Sequence, residues 1–367
     1  MDQIKLPFYA RLALILIAIG LVLVLLSVGR SIFIPLFFGL LVALLLYPLV
    51  RRFEKWHMGR GLSIFLAILL FFLSFALLVY LFSIQIADFA GDIPKLQARI
   101  NEVTTELQHW ISKKYHVNRA QQLDYINKST SSILNNVAAS IGSTFLGVME
   151  FLIWGVFVVF YAFFILYYRK MLTSFLQSLF HPHDRDQVGQ VVMQTRTVIN
   201  SYMIGLLTEM SILLVVNSVV FLVLGLKYAL LMALLASVLN IVPYLGIYTA
   251  TIICMIITFA NTTGNEALIV GGVMIGIHFL DANILMPRIV GGRVKMNPFI
   301  TLIAVVAGNL LWGISGMFLF IPLTAIIKII SERVEELKPW AILIGEEQKE
   351  KLPPLPPPEQ EKKEETL

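Results

Sequence analysis

The sequence predicts an all-α polytopic membrane protein with eight hydrophobic segments, two of them interrupted or re-entrant, plus an external helical insert. Three observations predict it. Of 367 residues, 58% are hydrophobic and only 14% charged, against about a quarter charged in soluble domains, which excludes an ordinary globular enzyme. The apolar residues fall into charge-free runs of roughly 18 residues or more, each a candidate span. The formal net charge of +5 sits at the ends of those runs rather than on one basic face, which is the pattern of membrane orientation and not of nucleic-acid binding. The single cysteine, Cys254, excludes a disulfide framework and any multi-cysteine zinc site.

Leu12–Gly29 is the first segment, opened by Arg11 and closed by Arg30. Ser31–Val50 follows at once, so Arg30 marks a tight turn; a second span directly behind the first argues against a cleavable signal peptide. Gly61–Ala87 is the third. Residues 1–87 thus form the first membrane block, and residues 88–143 form the extracytoplasmic insert. In the insert, Ile93, Leu96, Ile100, Val103, Leu107 and Trp110 recur at alternating spacings of three and four, a helical seam that packs internally or against another subunit. Phe145–Tyr168 and Ser201–Leu226 are the fourth and fifth segments, joined by a polar connector. His181 and His183 in that connector have no third ligand at metal-site spacing, so no metal is expected.

Two runs are too long for one span. Tyr228–Asn265 and Met296–Ile327 lack charges over 38 and 32 residues. As straight helices they would measure roughly 57 and 48 Å, against a hydrocarbon core of about 30 Å. Each is interrupted: Asn240, Pro243, Tyr244 and Gly246 break the first, while Gly313, Ser315, Gly316 and Pro322 break the second. Irregular backbone survives at membrane depth only where protein or a water-filled cavity satisfies it. The runs are therefore either re-entrant hairpins or bent full spans. The seventh segment, Ala267–Met286, lies between them, and its Gly272-x-x-x-Gly276 face suits close helix packing. Residues 144–330 make up the second membrane block with the expected transport core. Residues 331–367 form a tail that is disordered and proline-rich at its end.

Arg51, Arg52, Lys55 and Arg60 favour the cytoplasm by the positive-inside bias, as do Arg169 and Lys170 and the loop with Arg288, Arg293 and Lys295. Both termini are then cytoplasmic and the insert is outside. The two interrupted runs enter from opposite sides, an inverted repeat that points to a transporter's binding site.

These residues also carry a resemblance. Asn240-Ile-Val-Pro-Tyr-Leu-Gly246, Asp281-Ala-Asn283-Ile-Leu-Met-Pro287-Arg-Ile-Val-Gly291 and Gly313-Ile-Ser-Gly316 with Pro322 resemble, in order and spacing, the autoinducer-2 exporter family of bacterial permeases. The likeness covers about residues 10–340. It implies eight hydrophobic segments, a bacterial inner-membrane location and transport, with relatives associated with export of the autoinducer-2 signal used in quorum sensing or with sodium–proton exchange. His278 departs from the Gln or other polar residue that many relatives carry there, so no role transfers to it.

Ionisable groups inside spans cost about 2.5–3.5 kcal/mol each on insertion scales, so each needs a reason. Asp281 with Asn283, beside the breaks, offers oxygen ligands for Na⁺ or a proton; the alternative is an interfacial Asp that caps a helix or pairs with Arg288. Glu209 could carry a proton or bind a polar substrate, or lie at a span end, and Glu150 reads as interfacial or as a subunit contact. Asn240, Tyr244 and Ser315 could hydrogen-bond a polyol-like cargo, or serve architecture alone. No Walker loop, HExxH or GxSxG occurs, so the chain is not expected to be an enzyme, and no cofactor is expected beyond Na⁺ or H⁺ as a coupling ion. The expected partners are the lipid bilayer, a small polar substrate or ion, and further copies of the chain as a homo-oligomer; nucleic acid is not expected. The function expected is secondary transport of a small polar molecule by alternating access. The alternatives are a cation/proton antiporter and a non-transporting scaffold.

Overall fold

The computed structural model describes residues 7–92, 94–95, 98–99, 101–103, 105, 154–242, 245–291 and 296–346. Of the insert's seam only Val103 is described; Ile93, Leu96, Ile100, Leu107 and Trp110, together with Glu150, Pro243, Tyr244 and the proline-rich tail, fall outside the described residues. Among those described, the chain is helical: α1 Phe8–Val28, α2 Arg30–Lys55, α3 Arg60–Ala90, α4 Trp154–Tyr167, α5 Arg169–Ser178, α6 Arg185–Val223, α7 Ala229–Leu239, α8 Leu245–Asn261, α9 Gly264–Leu280, α10 Pro298–Arg333 and α11 Lys338–Ile344. Five helices are long and apolar enough to cross a membrane, or six if the bent pair α4 and α5 is one span. Large apolar side chains such as Leu16, Leu21, Phe65, Leu73 and Leu222 are exposed, the surface expected of helices in lipid.

One end of the bundle carries the arginines. Arg60 at the start of α3 donates to the Leu166 carbonyl at the end of α4 (3.2 Å), and Arg169 at the start of α5 pairs with Glu54 of α2 (2.7 Å). Nearby, Asn200 of α6 donates to the Leu44 carbonyl of α2 (2.8 Å). That carbonyl would ordinarily be bonded by residue 48, but Pro48 has no N–H, so a side chain from the next helix satisfies it. At the other end, Lys227 and Tyr228, just after α6, bond Asp92, just after α3 (2.5 and 2.6 Å).

Both interrupted runs are hairpins, and they enter from opposite ends. In the first, α7 and α8 pack antiparallel: Cys254 and Thr258 of α8 face Met232 of α7, and a Cβ at Gly246 would overlap the Leu239 carbonyl across the turn. Its feet lie beside Lys227 and Asp92. In the second, α10 reverses at Trp312 and Gly313, where Gly313 takes φ +61°, a left-handed conformation that costs glycine nothing. Gly308 and Gly316 then meet backbone to backbone; a Cβ on either would overlap the other's carbonyl. Eight residues of uninterrupted helix would hold them about 12 Å apart. The feet of this hairpin are tied together by Asn297 N–H donating to the Ile344 carbonyl (2.9 Å), and Arg333 bonds Gln194 of α6 (3.2 Å), at the arginine end. The tip reaches the opposite end, where Trp312 Nε1 donates to the Leu26 carbonyl of α1 (2.9 Å), one of the last-turn carbonyls that α1 cannot satisfy itself.

Two sequence expectations change. The connector before the fifth segment is helical from Arg185, because absence of charge measures membrane depth and not helix length. Among the described residues, a Cβ at Gly272 or Gly276 would meet no neighbour within 4 Å; the tight glycine on that helix is Gly271, where a Cβ would lie 2.8 Å from Met255 Sδ. The register of the helix, and not the GxxxG spacing, decides which glycine meets a partner.

Candidate functional site

The buried stripe of α6 reads Tyr202, Gly205, Glu209, Leu213, Asn217 and Phe221, spaced three or four apart, so all face one side. That side receives the tip of the first hairpin and the junction after α9. At that junction the helix changes from α to π winding over Asp281–Leu285 and again over Pro287–Gly291, a rare distortion frequent at functional sites. The wider turn keeps Asp281 buried at 4% exposure.

Asn240, at the end of α7, donates its amide to Asp281 Oδ2 (3.2 Å). Glu209 presents its own carboxyl to that of Asp281, so two acids from α6 and the π junction stand side by side. Beside Asp281 is a cavity of about 10 Å³, lined by Asn217, Asn240, His278 and Asp281 among apolar residues including Met274 and Ile247. That is room for one water-sized group.

Three buried polar atoms at this cavity have no hydrogen-bond partner among the described residues: Asn217 Oδ1, His278 Nδ1 and Asp281 Oδ1. Asn217 spends its amide on its own helix, donating to the Leu213 carbonyl (2.8 Å), which aims the oxygen away as a free acceptor. Buried polar groups normally find partners, so three orphans at one place make this the candidate position for a water or ligand. No lysine or arginine lines the cavity. Adjacent buried carboxyls without a basic partner cannot both keep an uncompensated charge. The arrangement can therefore hold a proton shared by the two acids, or a small hard cation in the cavity beside the oxygens of Asp281 and Asn217. The acids and His278 do not form a three-ligand metal cluster among the described residues.

Of the sequence candidates, the structure brings together Asp281, Glu209 and Asn240. Asn283 stands apart: it is exposed, and its amide bonds the Phe279 carbonyl (2.8 Å), because two residues along a helix turns a side chain to another face. Asp281 makes no ion pair with Arg288 among the described residues. Ser315 is half-buried at the second hairpin's tip beside Gly313 and Gly316, and Pro322 is buried in its second arm. Gly246 closes the first hairpin. Pro243 and Tyr244 lie outside the described residues. Sequence reasoning missed Asn217 and left His278 without a role, yet the signals existed: Asn217 is two turns from Glu209 on one helical stripe, and His278 precedes Asp281 by three.

Comparison with known proteins agrees with this architecture. The model of a family described as AI-2E family transporter matches residues 12–336. The chain is 25% identical over 308 residues to YrrI of Bacillus subtilis, covering 82% of this chain and 86% of that protein. It is 24% identical over 344 residues to the AI-2 transport protein TqsA of Escherichia coli, covering 92% and 96%. YhhT of Escherichia coli is 24% identical over 323 residues, covering 86% and 89%. With a family model spanning nearly the whole membrane region and relatives aligned over most of their length, the chain belongs to the AI-2E transporter family.

Proposed function

We propose that the protein is a secondary transporter in a bacterial inner membrane, with both termini cytoplasmic, that moves a small polar molecule such as the autoinducer-2 signal by alternating access. The similarity to TqsA, an AI-2 transport protein, supports that cargo class, and opposed hairpins meeting beside α6 support the mechanism. The observation that carries the reading is the buried pair of Glu209 and Asp281 beside orphaned oxygens at the first hairpin's tip. A non-transporting scaffold has no use for such costly groups at depth.

The same pair favours a second reading, exchange of a cation for a proton. Proton and cation would compete for one carboxyl pair, so occupancy by one displaces the other. Asn240, bonded to Asp281, would report that exchange to the hairpin tip.

The test is gradient-driven transport by purified protein in liposomes, with a pH or Na⁺ gradient and autoinducer-2 as cargo. Asp281→Asn keeps size and hydrogen bonding while removing the charge, so folding survives and driven transport falls at least tenfold. Full activity with unchanged pH dependence in that variant would eliminate the carboxyl pair as the coupling site. Transport of Na⁺ against protons without added cargo would select the antiporter reading.

A further inference from the structure

At the arginine end of the bundle, three guanidinium groups from three elements surround one ring. Arg196 of α6 lies 4.0 Å from the centroid of Tyr47, Arg169 at the start of α5 lies 5.4 Å away, and Arg51 of α2 lies 6.0 Å away. One acid serves two of them. Glu54 takes Arg169 at 2.7 Å on both oxygens and Arg51 at 3.9 Å. Arg196 has no ion pair among the described residues. Arg169 keeps one guanidinium nitrogen, Nη1, buried and without an acceptor. The cluster therefore carries two positive charges more than negative ones, and the ring faces that stabilise guanidinium groups do not neutralise them.

The depth of the cluster follows from α5. This helix leaves α4 at a 70° bend, and its apolar side chains Met171, Leu172, Phe175 and Leu176 are exposed. A helix with that geometry and face lies along the membrane interface. Arg169 opens it, so the cluster sits at the level of lipid headgroups, with exposed apolar side chains beside it for acyl chains. Arginine is the side chain suited to phosphate, which it binds through a planar fork of donors. Basic pockets between spans on the cytoplasmic side bind anionic headgroups.

We propose that Arg51, Arg169 and Arg196 around Tyr47 form a binding site for a phosphate anion, supplied by the headgroup of an anionic phospholipid. The site bridges α2, α5 and α6. A bound headgroup clamps the basic end of α6, the helix that carries Glu209 and Asn217, to α2, where the bond from Asn200 to Leu44 already joins them. The inference stands whether or not the carboxyl pair couples transport.

The test is thermal unfolding of the full chain purified in an uncharged detergent, with phosphatidylglycerol, phosphatidylcholine or inorganic phosphate added. Phosphatidylglycerol should raise the midpoint and phosphatidylcholine should not. Arg196→Gln and Arg51→Gln, neither of which removes the Glu54–Arg169 pair, should each lose at least half of that rise. Arg52→Gln, an exposed arginine with no contact to Tyr47 among the described residues, should keep it. An equal rise in Arg196→Gln and Arg51→Gln as in the unmodified chain would overturn the site. A full rise with inorganic phosphate alone would overturn the lipid as its source.

Discussion

The two hairpins are built alike and finished differently. Each is an apolar run turned back on itself and closed by a glycine pressed against a carbonyl across the turn: Gly246 on Leu239, and Gly316 on Gly308. The first ends in Asn240, whose amide reaches Asp281. The second ends in Trp312, packed against Phe37 and Phe320 and bonded to the end of α1. The feet differ too. Those of the first are held by the ionic cluster of Asp92, Lys227 and Lys95, and those of the second by backbone bonds between Asn297 and Ile344. One hairpin is thus mounted on charges and tipped with polar atoms, while the other is mounted on a backbone hydrogen bond and tipped with a packed aromatic ring. In the function proposed above, the first is the one that responds to a ligand.

The largest expected effect is on the packed hairpin. Gly316→Ala places a methyl group into a backbone carbonyl that cannot swing aside, costing more than about 3 kcal/mol. Size-exclusion profiles of the detergent-extracted protein should show its folded peak lost, whereas Gly272→Ala, with open space around it, should leave the peak unchanged. A monodisperse Gly316→Ala protein would break the comparison, because the second hairpin would then not be closed by direct backbone contact.

Next in size is the polar tip. Asn217→Leu fills the same space without the orphan oxygen, so under the cation-exchange reading apparent affinity for the cation should fall about tenfold, or about 1.4 kcal/mol. Ser315→Ala at the other tip should change it little. Equal losses from both would mean that the two tips share one site.

Asp92→Asn tests the ionic foot. Bonds from Lys227, Lys95 and the Tyr228 hydroxyl hold the Asp92 carboxyl well below the usual carboxylate range, and Asp92 in turn holds Lys227 above the usual lysine range. A lowered carboxylate contributes stability that is full above its unfolded value of about 4 and fades as pH falls from there toward its folded value. A raised lysine contributes stability that is full below about 10 and fades above it. The cluster should therefore be intact from about pH 4 to pH 10. Over that window Asp92→Asn should melt at a lower, pH-independent offset from the unmodified chain, and the offset should shrink only in strong acid. An offset that varies between pH 5 and pH 8 would place another titrating group at the hinge.

The smallest effect is expected from Trp312→Phe, which keeps the aromatic packing and removes one hydrogen bond, worth about 1 kcal/mol. A modest fall in melting temperature with normal transport would agree with an architectural tip. Lost transport at unchanged stability would give the second hairpin a part in the mechanism.

Much of this was legible in the chain itself. Charge-free length exceeding one membrane thickness, with glycine and proline at its middle, forced both runs to break. The basic residues at the ends of the spans set the expected sidedness, and the cost of ionisable groups at depth picked out Glu209 and Asp281. These rest on quantities that a sequence carries: length, periodicity, charge and backbone permissiveness. Which groups meet across helices is another matter, because it depends on the rotation and crossing of elements far apart in the chain. The pairing of Glu209 with Asp281 joins positions more than seventy residues apart, and the choice of Gly271 over Gly272 depends on which face α9 turns to α8. Pro48 announced a carbonyl in need of a partner, but only the packing of α6 against α2 made that partner Asn200. Composition and periodicity determined that this is a bundle of spans with two broken segments. Tertiary packing alone decided what those breaks touch, since contact energies act between surfaces whose juxtaposition no local pattern encodes.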